Sequence, residues 1–277
     1  MMKITFYGTA AAEGVPALYC DCKVCEKARL LKGKDFRTRS QAMVNDDLLI
    51  DFPADTYMHV LNYGLPLHKI ANIIITHSHS DHLYVVDVLM RAPGFSNMDN
   101  TRPLNIYGSS TVVKALRNNQ GICDIAEKGY LNIRQLNVFE TAIIDGYMVT
   151  PLKADHQNEA EAFIYLIEKD GKTILYAHDT GLFPVETIEY LKKSKPHIDF
   201  ATFDCCFSLR HRESGQMGFD SVMVMHKRLE DIGVMDKNTV CCVNHFSHNN
   251  GELYEDMKEY ASKYGYLTSY DGMKVEV

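Results

Sequence analysis

The segment Ile73-Ile74-Ile75-Thr76-His77-Ser78-His79-Ser80-Asp81-His82 runs from an apolar stretch straight into three imidazoles and a carboxylate. Three consecutive isoleucines read as an apolar strand. Side chains at a strand's end point into the crevice above the sheet. A loop leaving the sheet there can aim several nitrogens and an oxygen at one point. Imidazole with carboxylate suits zinc, manganese or iron better than magnesium or calcium. The spacing His-x-His-x-Asp-His is therefore read as a metal motif, against the alternative of a solvated polar loop.

One loop rarely completes a metal site, and further donors recur where other strand candidates run out. His156 follows Tyr147–Ala154, Asp179 follows Thr173–Ala177, and His245 follows Thr239–Asn244. The candidate ligands are then His77, His79, Asp81, His82, His156, Asp179 and His245. That set is too large for one tetrahedral ion with an open position. It suits two divalent ions about 3.5–4 Å apart that share a carboxylate. Asp179 is the natural bridge, because a carboxylate offers two oxygens. His77, His79 and His156 are assigned to one ion, and Asp81, His82 and His245 to the other. Manganese or zinc is expected, with iron allowed, since metal availability decides among such sites.

The 277 residues suffice for a large core and are read as a single domain over 1–277. The formal net charge is −7, and no basic run exceeds Lys192-Lys193. That argues against holding long nucleic acid by phosphate neutralisation. A small phosphate substrate stays open, because bound cations supply local positive charge. No stretch approaches the roughly 20 apolar residues that span a bilayer. The start, Met1 to Gly8, reads as a strand and a glycine turn rather than a signal peptide. A cytoplasmic protein without membrane association is expected, with its eight cysteines as thiols or metal ligands. A homodimer is compatible with the sequence but not indicated by it.

Strands and helices alternate throughout. Strands are expected at Lys3–Tyr7, Gln41–Val44, Leu48–Asp51, Asn72–Thr76, Leu104–Tyr107, Tyr130–Leu136, Tyr147–Ala154, Ala162–Glu168, Thr173–Ala177, Asp199–Asp204 and Thr239–Asn244. Asp46-Asp47 and Asp170-Gly171 mark hairpins, and Asp271-Gly272 is read as a closing hairpin between Tyr266–Tyr270 and Met273–Val277. Helical spacing is clear over Asp220–Ile232 and between Leu253 and Tyr264, shorter after Pro184, and weaker at Asp55–Tyr63 and Thr111–Asn118. Two runs of strands with helices between them suggest an α/β chain of two facing sheets with helices outside.

The order of these motifs over almost the whole chain resembles the metallo-β-lactamase superfamily, which implies a four-layer αββα sandwich. Gly8-Thr9-Ala10-Ala11-Ala12-Glu13-Gly14-Val15-Pro16, followed by Cys20-Asp21-Cys22-Lys23-Val24-Cys25, is similar to the PhnP-type phosphodiesterases associated with the carbon–phosphorus lyase pathway. Tyr176-Ala177-His178-Asp179-Thr180 and Tyr270-Asp271-Gly272-Met273 resemble that branch as well. The resemblance implies hydrolysis of a small phosphodiester, with cyclic phosphates of ribose or nucleotides as substrates. A hydroxide bridging the ions would attack phosphorus, with Asp81 holding metal and orienting the nucleophile.

Cys20-x-Cys22-x-x-Cys25 offers three thiolates to one zinc, and a structural zinc needs a fourth ligand. His248, three residues past His245, is the best candidate, and the resemblance gives the matching His that role. A redox pair or reduced buried thiols are the other readings. In the resembled branch, a His on the loop after the strand Asp199–Asp204 protonates the leaving group. Alignment puts Gln216 there, and glutamine cannot act as a general acid near neutral pH. His211 is the imidazole on that loop that can substitute, and Arg210, Arg212 and Gln216 are expected to touch substrate. The alternatives are a tRNA 3′-processing-like endonuclease, a thioester or lactam hydrolase, and a non-catalytic metal-binding or cofactor-pathway protein. The endonucleases carry a Gly/Pro-rich basic arm, whereas the stretch between Asp179 and Asp199 holds only a short helix pattern.

Overall fold

The computed structural model describes residues 1–97, 102–157, 161–250 and 252–277. The first sheet contains β1 (Lys3–Gly8), β2 (Gln41–Val44), β3 (Leu48–Ile50), β4 (Asn72–Ile74), β5 (Leu104–Gly108) and β6 (Leu131–Gln135). The second contains β7 (Ala142–Ile144), β8 (Tyr147–Lys153), β9 (Phe163–Lys169), β10 (Lys172–Ala177), β11 (Phe200–Asp204), β12 (Val240–Asn244) and β13 (Leu267–Thr268). The last strand, β14 (Met273–Glu276), returns to the first sheet. The strand orders are β14-β1-β2-β3-β4-β5-β6 and β13-β12-β11-β10-β9-β8-β7.

Alternation along each strand builds three apolar layers. Ile74 faces the other sheet, in a core with Ile4, Phe6, Tyr165, Tyr176 and Phe200. Ile73 and Ile75 face the opposite way, into a core with Val112, Leu116 and Ile122. Those last three come from α4 (Ser110–Arg117) and α5 (Gln120–Glu127). On the far side, Phe203 and Val243 pack against Leu191, Val222, Met225 and Met257. These belong to α6 (Val185–Ser194), α7 (Phe219–Asp231) and α8 (Tyr254–Ser262). Strands covered on both faces read as continuous apolar runs, as Ile73-Ile74-Ile75 does. The result is the expected αββα sandwich.

The Asp170-Gly171 turn joins antiparallel β9 and β10 with φ of 52° and 72°, the left-handed pair a two-residue hairpin demands. The closing hairpin is a correction. β13 pairs in parallel with β12, whereas β14 pairs antiparallel with β1, so the flanks of Asp271-Gly272 lie in different sheets. Local turn chemistry gave the bend, but the long-range partners took each flank elsewhere. Gly272 has φ 89°, and a Cβ there would sit 2.8 Å from the Tyr63 ring. Tyr63 closes α2 (Thr56–Tyr63).

Four strands and α-helices escaped the sequence reading: α1 (Lys23–Leu31), α3 (Val85–Val88), α5 and β7. The β7–β8 hairpin turns at Asp145-Gly146, both at positive φ. Cys241 and Cys242 face opposite cores, as adjacent strand residues must. His226 is a packed histidine, with Nδ1 2.6 Å from the Tyr266 hydroxyl. Among the described residues, no helix is long and apolar enough to cross a membrane.

Candidate metal centre

The donors converge because several strands of both sheets end at one edge of the sandwich. β4 stops at Ile74, and the backbone N–H and hydroxyl of Thr76 donate to Asp51 Oδ1 at 2.7 and 2.9 Å. His82 N–H and Leu83 N–H then donate to the His79 carbonyl at 3.0 and 2.8 Å, folding the loop on itself. This turn brings four ligand-type side chains to one side. Asp51, Asp179 and His245, each just past a strand, sit at φ of 65°, 50° and 67°. Left-handed backbone at non-glycine residues is costly and concentrates at functional sites.

Two groups of ligand atoms result, His77, His79 and His156 in one and Asp81, His82, Asp179 and His245 in the other. Within each, the ligand atoms lie within 4.8 Å of one another. His79 Nδ1 is 2.9 Å from His77 Nε2 and 3.3 Å from His156 Nε2. Two nitrogens on a tetrahedral zinc are about 3.3 Å apart, so this trio fits one ion. Asp179 Oδ2 lies 2.7 Å from His82 Nε2, 3.3 Å from His245 Nε2 and 3.7 Å from His77 Nε2. It thus stands between the two groups.

His82 Nε2 and both ring nitrogens of His245 are buried without an aligned hydrogen bond. Buried polar atoms are ordinarily satisfied, and a cation would satisfy the two Nε2 atoms. Burial pulls the His77 imidazole well below its ordinary value, leaving it a neutral donor. Burial also opposes charge on His82 and His245. Asp51 and Asp81 around the one, and Asp179 and Asp204 around the other, nevertheless raise both well above it. A cation seated among these donors takes the place of such protons. The residues therefore fit divalent metal, in keeping with their N/O donor chemistry.

Partners behind the donors were not found from the sequence. Asp51 Oδ2 lies 2.7 Å from His82 Nδ1, and Asp204 Oδ2 lies 3.0 Å from His245 Nδ1. The Gly215 carbonyl is 3.1 Å from His156 Nδ1. Such partners fix the ring orientation of metal-binding histidines. Asp51 and Asp204 carry the signal that revealed Asp179, a carboxylate at the end of an apolar run. His178 is not a donor here. It is buried beneath the site, with Nε2 2.8 Å from Thr202 Oγ1.

Cys20, Cys22, Cys25 and His248 form a third group. His248 Nδ1 is 3.5 Å from both Cys20 Sγ and Cys22 Sγ. A sulfur and a nitrogen on tetrahedral zinc are about 3.5 Å apart, so the spacing suits that ion. None of the eight cysteines, all among the described residues, is in a disulfide. The thiolate set and the donors above meet through the segment 245–248.

A cavity of about 180 Å³ lies over the donors, lined by Ala11, Ala12, Glu13, His79, Asp81, His156, Gln157, Asp179, Cys206, Gln216 and His245. Gln216 reaches it and donates from Nε2 to Asp179 Oδ1 at 2.9 Å. His211, Arg210 and Arg212 do not line it. His211 is exposed and paired through Nδ1 with Asp220, and its neighbour Arg212 lies over the Phe207 ring at 5.3 Å. The structure thus places His211 and the two arginines, expected to serve as acid and substrate contacts, outside the lining of this cavity. The loop turns outward to meet α7.

The model of the beta-lactamase superfamily domain matches residues 50–235, more than half of the chain. The chain belongs to that superfamily, and its two-sheet architecture is the metallo-β-lactamase fold. Ribonuclease Z from Methanococcus maripaludis is 28% identical over 193 residues, covering 69% of this chain and 53% of that protein. The chain thus spans about half the length of that curated relative. A crystal structure of a new diphosphatase from the PhnP family is similar over 100% of this chain and 97% of its own, with TM-score 0.75 and 22% identity. Zn(2+)-bound PqqB from Methylobacterium extorquens is similar over 99% and 100%, with TM-score 0.76 and 16% identity. At these identities, both likenesses speak to the fold.

Proposed function

We propose that the chain is a metal-dependent hydrolase of small phosphodiesters, with cyclic phosphates of ribose or nucleotides as the favoured substrates. One observation carries the reading: two donor groups meet at Asp179 Oδ2 under a small cavity. Manganese or zinc would occupy His77, His79 and His156 on one side and Asp81, His82 and His245 on the other. Asp179 would serve both, and a structural zinc would sit on Cys20, Cys22, Cys25 and His248. Divalent cations held there would polarise phosphoryl oxygens and lower the pKa of water. Cysteines outside any disulfide accord with a cytoplasmic protein.

The chain's own residues do the positioning. Asp51 and Asp204 hold His82 and His245 in orientation, and Gln216 restrains Asp179. Burial opposes charge on Asp81, but the charge on His82 outweighs it and holds the carboxyl below the ordinary range. Asp81 is an anion facing the cavity, placed to hold metal and orient water.

A second reading, a ribonuclease Z-like endonuclease, is favoured by the relative from M. maripaludis. Against it, the chain between β10 and β11 holds α6 and no arm-like insertion. A panel separates the readings: bis(p-nitrophenyl) phosphate, a ribose cyclic phosphate, a 2′,3′-cyclic nucleotide, a precursor tRNA, a glutathione thioester and a β-lactam. Turnover of the small diesters is expected. Turnover confined to the thioester or lactam overturns the proposal.

A further inference from the structure

Glu13 is the carboxylate of the cavity wall that belongs to neither donor group. It follows Ala11 and Ala12, whose methyl side chains leave space beside it. Its position is fixed from the far end of the chain. Asn249 Nδ2 donates to Glu13 Oε1 at 3.0 Å, and that amide also reaches Ser247 Oγ at 3.1 Å. The backbone is tied alongside, with Ala11 N–H donating to Phe246 O and Phe246 N–H to Thr9 O, both at 2.9 Å. Asn249 directly follows His248 of the thiolate group.

The other polar lining groups outside the donor sets are the neutral amides of Gln157 and Gln216 and the thiol of Cys206. No arginine or lysine lies among the described lining residues. A carboxylate therefore stands on the wall of the cavity beside the donor groups, with neither of those cationic side chains to offset it. A hydroxyl there would find an acceptor, and a second negative charge would meet repulsion.

We propose that Glu13 is a specificity-determining residue that selects monoanionic phosphodiesters whose non-reacting group carries hydroxyls, and that it disfavours substrates bearing a second negative charge. The proposal rests on the hydrolase reading above. The test uses the full metal-loaded protein and its Glu13→Gln variant, because glutamine keeps an oxygen for Asn249 and removes the charge. Two diesters share a p-nitrophenolate leaving group and a single charge: methyl p-nitrophenyl phosphate and 2,3-dihydroxypropyl p-nitrophenyl phosphate. p-Nitrophenyl phosphate adds the second charge.

The unaltered protein is expected to prefer the dihydroxypropyl ester about tenfold in kcat/KM, through KM, as a charge-assisted hydrogen bond allows. Glu13→Gln should bring that ratio near one and raise kcat/KM for p-nitrophenyl phosphate severalfold. An unchanged ratio, or an equal loss on both diesters, overturns the proposal. Should neither diester turn over, the hydrolase reading fails by itself. The affinities of methyl and 2,3-dihydroxypropyl methylphosphonate, measured by calorimetry on both proteins, then decide the role of Glu13 by the same ratio.

Discussion

The side-chain amide of Gln216 donates to Asp179 Oδ1 at 2.9 Å, while Oδ2 of the same carboxylate faces His82 and His245. One oxygen is thus held by the protein and the other is left to the donor groups. Gln216→Ala should weaken metal affinity about 10–100-fold, the usual effect of losing a partner behind a ligand. Competition with a chelator measures this, and unaltered affinity would show that the contact has no hold on the site. Gln216→His should raise turnover of diesters with poor leaving groups relative to p-nitrophenyl esters, since a general acid typically supplies about 10²–10⁴. No relative gain would mean that this position does not face the leaving group.

Asp51→Asn and Asp204→Asn each remove a carboxylate behind a histidine without touching a ligand. Both should lower metal affinity about 10–100-fold and leave metal stoichiometry at saturation unchanged. Elemental analysis alongside titration checks the pair. Lost stoichiometry would instead make these residues ligands.

Metal removal should be felt in the fold as well as in the site. Chelation should lower the unfolding midpoint, because ions that bind only the native state stabilise it by mass action. Cys22→Ser should lose zinc from the thiolate group while His77, His79 and His156 keep theirs. An identical midpoint with and without chelator would contradict the structural role given to the zinc.

His59 is fully buried, with Nδ1 2.5 Å from Gln41 Oε1 and Nε2 2.7 Å from Thr38 Oγ1. Burial depresses its imidazole to about 4. The unfolded chain then binds more protons than the native one between about 4 and 6.5. Its contribution is complete above pH 6.5 and is lost as pH falls toward 4, by at most about 3 kcal/mol. Urea denaturation across pH 4.5–7 should give a flatter acid limb for His59→Gln than for the unaltered protein. Parallel limbs would assign the acid sensitivity to other groups.

Gly272→Ala meets two obstacles at once, a φ of 89° and a Cβ 2.8 Å from the Tyr63 ring. A loss of about 1–3 kcal/mol in chemical denaturation is expected. A loss below about 0.5 kcal/mol would mean that Tyr63 moves aside freely.

The sequence made visible those features that local chemistry dictates. Ile73-Ile74-Ile75 announced a strand, and Asp170-Gly171 a hairpin. Donors at strand ends identified residues that the fold gathers from both sheets. What stayed hidden depends on partners far along the chain. Nothing near Asp271-Gly272 tells that β13 and β14 part company, because β12 and β1 claim them. Nothing near His211 reveals that Asp220 draws it outward. Asp51 and Asp204 were legible in kind, as carboxylates closing apolar runs, but their place behind a ligand is set by packing between strands.

The separate destinations of β13 and β14 bear on how the molecule can be dissected. A fragment ending near residue 235, where the family match stops, forfeits a neighbour of β1 in one layer and both β12 and β13 in the other. It also forfeits His245 and His248, one donor from each kind of ion site. The final segment laces the two layers together like a seam, with β13 in one and β14 in the other.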